Sequence, residues 1–127
     1  MYRTILAAAL CVATTAPAFA EAFMMGTGRW TCERARAAFV TQNISDQGQV
    51  AGWILGYWSH ASIGQPTAFL DKMQEVGGGK IVEITLAECQ KNPNAMLFQV
   101  TEAIVQNSLK ESEEGAAEGA TEGEASE

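Results

Sequence analysis

The 127-residue chain is 47% hydrophobic and 18% charged, carries a net charge of −7, and contains three tryptophans and five phenylalanines. That is one domain's worth of chain, too apolar to be wholly disordered. Its acidic balance argues against nucleic acid or an anionic membrane surface as partner, since both need an excess of Lys and Arg.

Residues 1–20 read as a secretory signal. Arg3 gives the positive start, Ile5 to Val12 the apolar run, and Ala18-Phe19-Ala20 the small-x-small cleavage site. A membrane anchor needs about 20 unbroken apolar residues, and Thr14, Thr15 and Pro17 interrupt this run too early. Lipidation at Cys11 would need a small residue before it, where Leu10 stands. The mature chain is therefore expected to begin at Glu21 and to be exported, without a membrane span. Removal of Cys11 leaves Cys32 and Cys89, and two thiols in an oxidising compartment point to one disulfide. A bridge closing that loop stabilises a fold by about 4 kcal/mol on chain-entropy grounds. Metal binding is the competing reading. With no C-x-x-C and His60 the only histidine, the usual four-ligand site cannot be assembled.

From residue 28 to residue 109 the apolar spacing is helical, with almost no strand alternation and no internal repeat. A first helix fits 31–42, capped by Thr31, with Ala35, Phe39 and Val40 inward. Asn43 and Ser45-Asp46 punctuate the chain and offer a cap for the next. A second helix over 46–63 places Val50, Trp53, Ile54, Tyr57, Trp58 and Ala61 at i, i+3, i+4 spacing. It also carries Gly48, Gly52 and Gly56, which as helix residues cost about 1 kcal/mol each against Ala. Close internal packing is the first explanation for that stripe, and a homodimer seam is the second.

Gly64 and Pro66 end this helix. A third follows over 67–76, with Phe69, Leu70 and Met73 inward and Gly77 as its C-cap. Gly77-Gly78-Gly79-Lys80 lacks the first Gly, the Ser/Thr and the preceding strand of a phosphate loop, and reads as a flexible linker. A fourth helix covers 81–90. Asn92-Pro93 restarts a fifth that runs to Leu109 and buries Met96, Leu97, Val100, Ala103 and Ile104. Residues 111–127 hold only Glu, Gly, Ala, Ser and Thr, with seven of the fifteen acids and no base. That tail should be a solvated, self-repelling coil. The expected fold class is all-α: a small disulfide-stapled bundle of four to five short helices (21–110) with a disordered acidic C-terminal tail (111–127).

At Trp30-Thr31-Cys32-Glu33 the sequence resembles the HdeA/HdeB family of periplasmic acid-stress chaperones. Ile81-Val82 through Cys89, then Lys91-Asn92-Pro93 and the apolar helix from Met96 to Val105, is similar to that family's C-terminal part. The resemblance implies a disulfide-stapled helical protein that is dimeric and inactive near neutral pH. In acid such a protein loosens or dissociates and holds denatured periplasmic proteins soluble, without ATP or another cofactor. Cys32 and Cys89 match the family's disulfide positions, and Trp30 matches as a structural neighbour. The acidic tail departs from the lysine-rich ends of the best-known members. The stretch Gly52-Trp53-Ile54-Leu55-Gly56-Tyr57 is more similar to Rap/Tai-type immunity proteins, which bind one toxin. That is the alternative function.

Charge permits the acid mechanism. The mature chain holds seven bases against fifteen acids, and near pH 2 its carboxylates protonate. The seven bases, His60 and the new amino terminus then give about +9, enough to loosen an interface held by carboxylate pairs. Gly52, Trp53, Gly56, Tyr57, Trp58, Phe69, Leu70 and Met73 are the candidate client or dimer contacts. His60 is the candidate pH sensor, as the one side chain ordinarily titrating near pH 6.5. Its plainer reading is a partly exposed residue at a helix end. Ser59 or Ser62 beside His60 makes no triad, because neighbours on one helical turn cannot present nucleophile, base and orienting acid together. No enzyme activity is expected.

Overall fold

A computed structural model describes residues 23–123; residues 1–22, with the expected signal segment and its Cys11, and residues 124–127 lie outside the described residues. A 3-10 turn at Gly26–Arg29 leads into five helices: α1 (Cys32–Val40), α2 (Ile44–Ala61), α3 (Thr67–Val76), α4 (Gly78–Lys91) and α5 (Leu97–Gly123). The architecture is all-helical, and no strand is formed among the described residues. α2 runs through the middle of the bundle, with α1, α4, α5 and the 3-10 turn against it, and α3 lies over α4 and α5.

Each boundary has a local cause. Thr31 caps α1, its hydroxyl accepting from the Arg34 N–H at 3.3 Å. The Cys32 and Glu33 N–H groups, which no helical carbonyl can reach, donate to Ala95 and Pro93 carbonyls at 2.8 and 2.9 Å. Leu97 N–H returns a bond to the Trp30 carbonyl at 2.9 Å. Residues 93–96 therefore cap α1 instead of beginning α5 at Pro93 as the Asn92-Pro93 signal suggested. α5 starts at Leu97, where Gln99 Oε1 accepts from the Met96 N–H at 3.0 Å. Between α1 and α2 the chain turns at Gln42, which has a positive φ of 56°. The Asn43 side chain then caps α2, accepting from the Asp46 N–H at 3.2 Å.

The core is Cys32, Ala35, Val50, Ile54, Trp58, Phe69, Ile81, Val82, Cys89, Leu97, Val100 and Val105. Cys32 and Cys89 form the disulfide, both fully buried with their α-carbons 4.9 Å apart. The bridge ties the first residue of α1 to the last turn of α4, beside the backbone bonds from residues 93–96. Thr85 and Thr101 are also fully buried, and each hydroxyl donates to the carbonyl four residues earlier (Ile81 at 2.9 Å, Leu97 at 2.8 Å). Neither is left unpaired in the interior.

Several expected core positions shift. Val40 and Met96 are exposed, as is Ala103. The inner face of α1 is Cys32, Ala35 and Ala38, and that of α5 is Leu97, Val100, Thr101 and Val105. On α5 these stand at i, i+3, i+4 and i+8, one stripe of a helix whose first turn begins later than the sequence suggested. Gly78-Gly79-Lys80 is not a linker but the first turn of α4. An added Cβ at Gly78 would lie 3.1 Å from Leu55, so the glycine lets α4 start close against α2. Beyond Leu109 the helix continues into the acidic stretch, where Glu113, Glu114, Gly115 and Ala117 are exposed. Glu and Ala sustain a helix without burying anything, and these four residues add nothing to the core.

Candidate functional site

The aromatic residues of α2 divide between two sides of the helix. Tyr57 and Trp58 are successive residues, about 100° apart around the axis. Trp53 and Tyr57, one turn apart and half-buried, have ring centroids 5.3 Å from each other. With Met24, Gly52 and Gly56 they line a shallow apolar depression on the outer side of α2. Trp58 is only 6% exposed and faces inward, stacked against the fully buried Phe69 ring with centroids 6.5 Å apart. The expected single face of Trp53, Tyr57 and Trp58 does not exist in the folded chain.

The glycine stripe is not a place of close internal packing. A Cβ at Gly48, Gly52 or Gly56 would meet nothing within 4 Å, and all three are exposed. Besides Gly78, the glycine that admits a neighbour from α2 is Gly28 of the 3-10 turn, which the sequence reading missed. A Cβ there would fall 2.3 Å from the Trp53 ring. The turn thus lies flat on the indole, a relation across two dozen residues that no local pattern signals.

Tyr57 joins the outer face to α5. Its hydroxyl donates to one Glu102 carboxylate oxygen, and Gln106 Nε2 donates to the other at 2.9 Å. Burial, together with the hydrogen bond to Glu102 and that carboxylate's charge, pushes the phenol pKa up to about 12. His60 is exposed in the last turn of α2 and borders the same groove as Tyr57, Gln65, Glu102 and Leu109. It takes part in none of the ion pairs found among the described residues, Lys72–Glu111, Lys80–Glu83 and Lys91–Glu88.

On the opposite side, α3, α4 and α5 enclose a cleft of about 470 Å³ with an apolar floor of Trp58, Met73, Val76, Ile81, Ile84 and Ile104. Lys72 of α3 and Glu111 of α5 pair across its rim at 3.0 Å. Leu70 and Met73 are half-buried on the inner side of α3. The candidate contacts therefore fall into two groups: Gly52, Trp53, Gly56 and Tyr57 on the outer side of α2, and Trp58, Phe69, Leu70 and Met73 under or within α3.

Catalytic geometry is not assembled around His60. Ser59 Oγ donates to the Leu55 carbonyl and Ser62 Oγ to the Ser59 carbonyl, each at 2.7 Å. Among the described residues no three His, Cys, Asp or Glu side chains come together to hold a metal ion. No helix there is long and apolar enough to cross a membrane.

Taken together, these features define a small helical protein closed by one buried disulfide, with apolar surface on two sides. The chain matches the HdeA/HdeB family over residues 3–99 and belongs to that family. Searches of curated proteins and of solved structures returned no match.

Proposed function

We propose that this protein is a periplasmic, ATP-independent acid-stress chaperone that opens or dissociates at low pH and holds denatured proteins in solution. Family membership over residues 3–99 is the observation that carries this reading, and the distribution of apolar side chains supports it. Trp58 and Phe69 are shielded in the folded chain and become available only if the bundle loosens. Trp53 and Tyr57, beside the open Gly48, Gly52 and Gly56 stripe, give α2 an apolar outer side suited to a second copy of the chain. Side-chain-free helix surface lets another backbone approach closely.

Protonation of carboxylates supplies the acid sensitivity. Among the described residues, two non-covalent side-chain ties between helices far apart in sequence, Tyr57–Glu102 and Lys72–Glu111, each end on a glutamate. When a carboxylate is neutralised its charge-assisted bond weakens, while the Cys32–Cys89 bridge keeps the loosened chain compact. Glu21 is proposed as the mature amino terminus after export.

The deciding experiment is aggregation of a denatured client at pH 2–3 and at pH 7, with molecular mass followed in parallel. Protection in acid alone, accompanied by a gain in apolar-dye binding, is expected. Absence of both would overturn the chaperone reading, and tight binding of one partner at neutral pH would favour an immunity protein instead.

A further inference from the structure

We propose that α3 is a flap over the trough formed by α2, α4 and α5. Once it lifts, the trough takes an apolar, aromatic-bearing segment of an unfolded polypeptide. The inference rests on the chaperone reading and names its binding surface and the occupant of that surface.

α3 is set apart by its two connections. Gly64 and Gly77 stand on either side of it with φ of 77° and 76°, a region that L side chains rarely adopt. A Cβ at either would meet no neighbour, so glycine is needed there for backbone conformation, not for space. The start of α3 has no side-chain cap, a lack it shares with α4, whereas Thr31 and Asn43 cap the starts of α1 and α2. Phe69 is its one fully buried side chain. A helix held by so few ties is the kind of unit that opens before the rest of a fold.

The surface beneath α3 is continuous. Trp58, Met73 and Ile81 line the cleft toward α5 and also a second one toward α2, where Leu55 and Gly78 join them. Met73 of α3 thus lies between two openings of one apolar trough. Trp58 at its base has its Nε1–H buried without an acceptor.

The occupant follows from what occupies the trough now. Phe69 lies against Trp58 with Leu70 and Met73 beside it, so the trough already accepts an aromatic residue with aliphatic neighbours. An extended segment of another chain offers the same side chains together with backbone carbonyls, acceptors of the kind Trp58 Nε1–H lacks. The ionisable groups lining the cleft are Lys72 of α3, Glu88 of α4 and Glu111 of α5; α2 contributes none. Asp71 and Glu75 of α3 are exposed. In acid, carboxylates lose their charge and the lysine keeps its own. The Lys72–Glu111 tie then lapses and the rim no longer opposes an apolar chain. An exposed pair contributes little by itself, so the tie biases a flap whose main hold is Phe69.

Three measurements test this. In the unmodified protein at pH 3, amides of 67–76 should exchange with deuterium at least ten-fold faster than those in the middle of α2 and α4. Equal rates would overturn the flap. In the double variant Lys72→Cys, Glu111→Cys, a bis-maleimide tether across the rim should reduce client protection in acid at least five-fold. The same variant capped singly with N-ethylmaleimide should retain protection within two-fold. If the tethered form, with its helix content intact, protects as well as the capped one, the flap is wrong while the chaperone reading stands. If the unmodified protein never protects a client, it is the chaperone reading that fails. A photo-crosslinking residue at Ile84 should capture denatured client in acid and not at pH 7. Capture of a second copy of this chain in place of client would overturn the assigned occupant.

Discussion

The Tyr57 hydroxyl on α2 donates to the Glu102 carboxylate on α5, linking helices 45 residues apart in sequence. Gln106 steadies the same carboxylate from one turn further along α5. Tyr57 is the only tyrosine after the expected cleavage site, so its behaviour can be read without interference. A raised phenol pKa means that the neutral form is favoured by folding. The stability it contributes is complete below the ordinary value near 10 and is lost as pH rises through about 12. A titration at 295 nm should show phenolate appearing near pH 12, and an ordinary midpoint near 10 would contradict the contact. Tyr57→Phe should cost about 1–2 kcal/mol at pH 7 by chemical denaturation, with a smaller loss at pH 2 where carboxylates are neutral.

The disulfide should matter more than any other single feature. Replacing Cys32 and Cys89 by Ser is expected to remove about 4 kcal/mol, a large share of the stability of so small a domain. Circular dichroism should then show a lower melting temperature or loss of helix at 37 °C. Unchanged melting would mean that the bridge merely decorates an already sufficient core.

Two glycines should respond in opposite directions. Gly28→Ala drives a methyl into the Trp53 ring and should destabilise by about 1–3 kcal/mol, with a shift in tryptophan emission. Gly52→Ala meets nothing in the folded chain and should stabilise the monomer by about 0.5–1 kcal/mol through helix propensity. If the stripe is a dimer seam, the same change should weaken self-association at least ten-fold in sedimentation equilibrium. Unaltered association would place the seam elsewhere.

His60→Gln should leave the pH midpoint of opening unchanged within about 0.3 units, because the residue is exposed and the Tyr57–Glu102 and Lys72–Glu111 ties end on carboxylates. A midpoint moved by a full unit would restore histidine as the trigger.

Truncation after Ser112 should change stability by less than about 0.5 kcal/mol, since Glu113, Glu114, Gly115 and Ala117 are exposed. Solubility near neutral pH should fall with the lost carboxylates. A marked drop in melting temperature would show that the acidic end of α5 supports the bundle.

Much of the architecture was open to reading because it rests on local rules. Helical spacing of Val50, Ile54 and Trp58, the caps at Thr31 and Asn43, and the bounds of α3 all depend on residues within a few positions of one another. The same locality misled where distant backbone intervened. Asn92-Pro93 looks like a helix start, but the carbonyls of Pro93 and Ala95 are taken by the N–H groups of Glu33 and Cys32. The glycines of α2 looked like a close contact, yet the glycines that press on α2 are Gly28 against Trp53 and Gly78 against Leu55, both distant in sequence from that stripe.

What the chain settles by itself is composition and period: an all-helical protein, two of its three cysteines, those beyond the expected signal segment, suited to one bridge, and an acidic end that cannot build a core. Which aromatic residue is hidden was decided only in three dimensions. Trp53 and Trp58 differ by five positions and share every local signal, but the 3-10 turn covers one and α3 the other. The reason is physical: helix period fixes the direction of a side chain from its own axis, whereas burial depends on which remote segment arrives there.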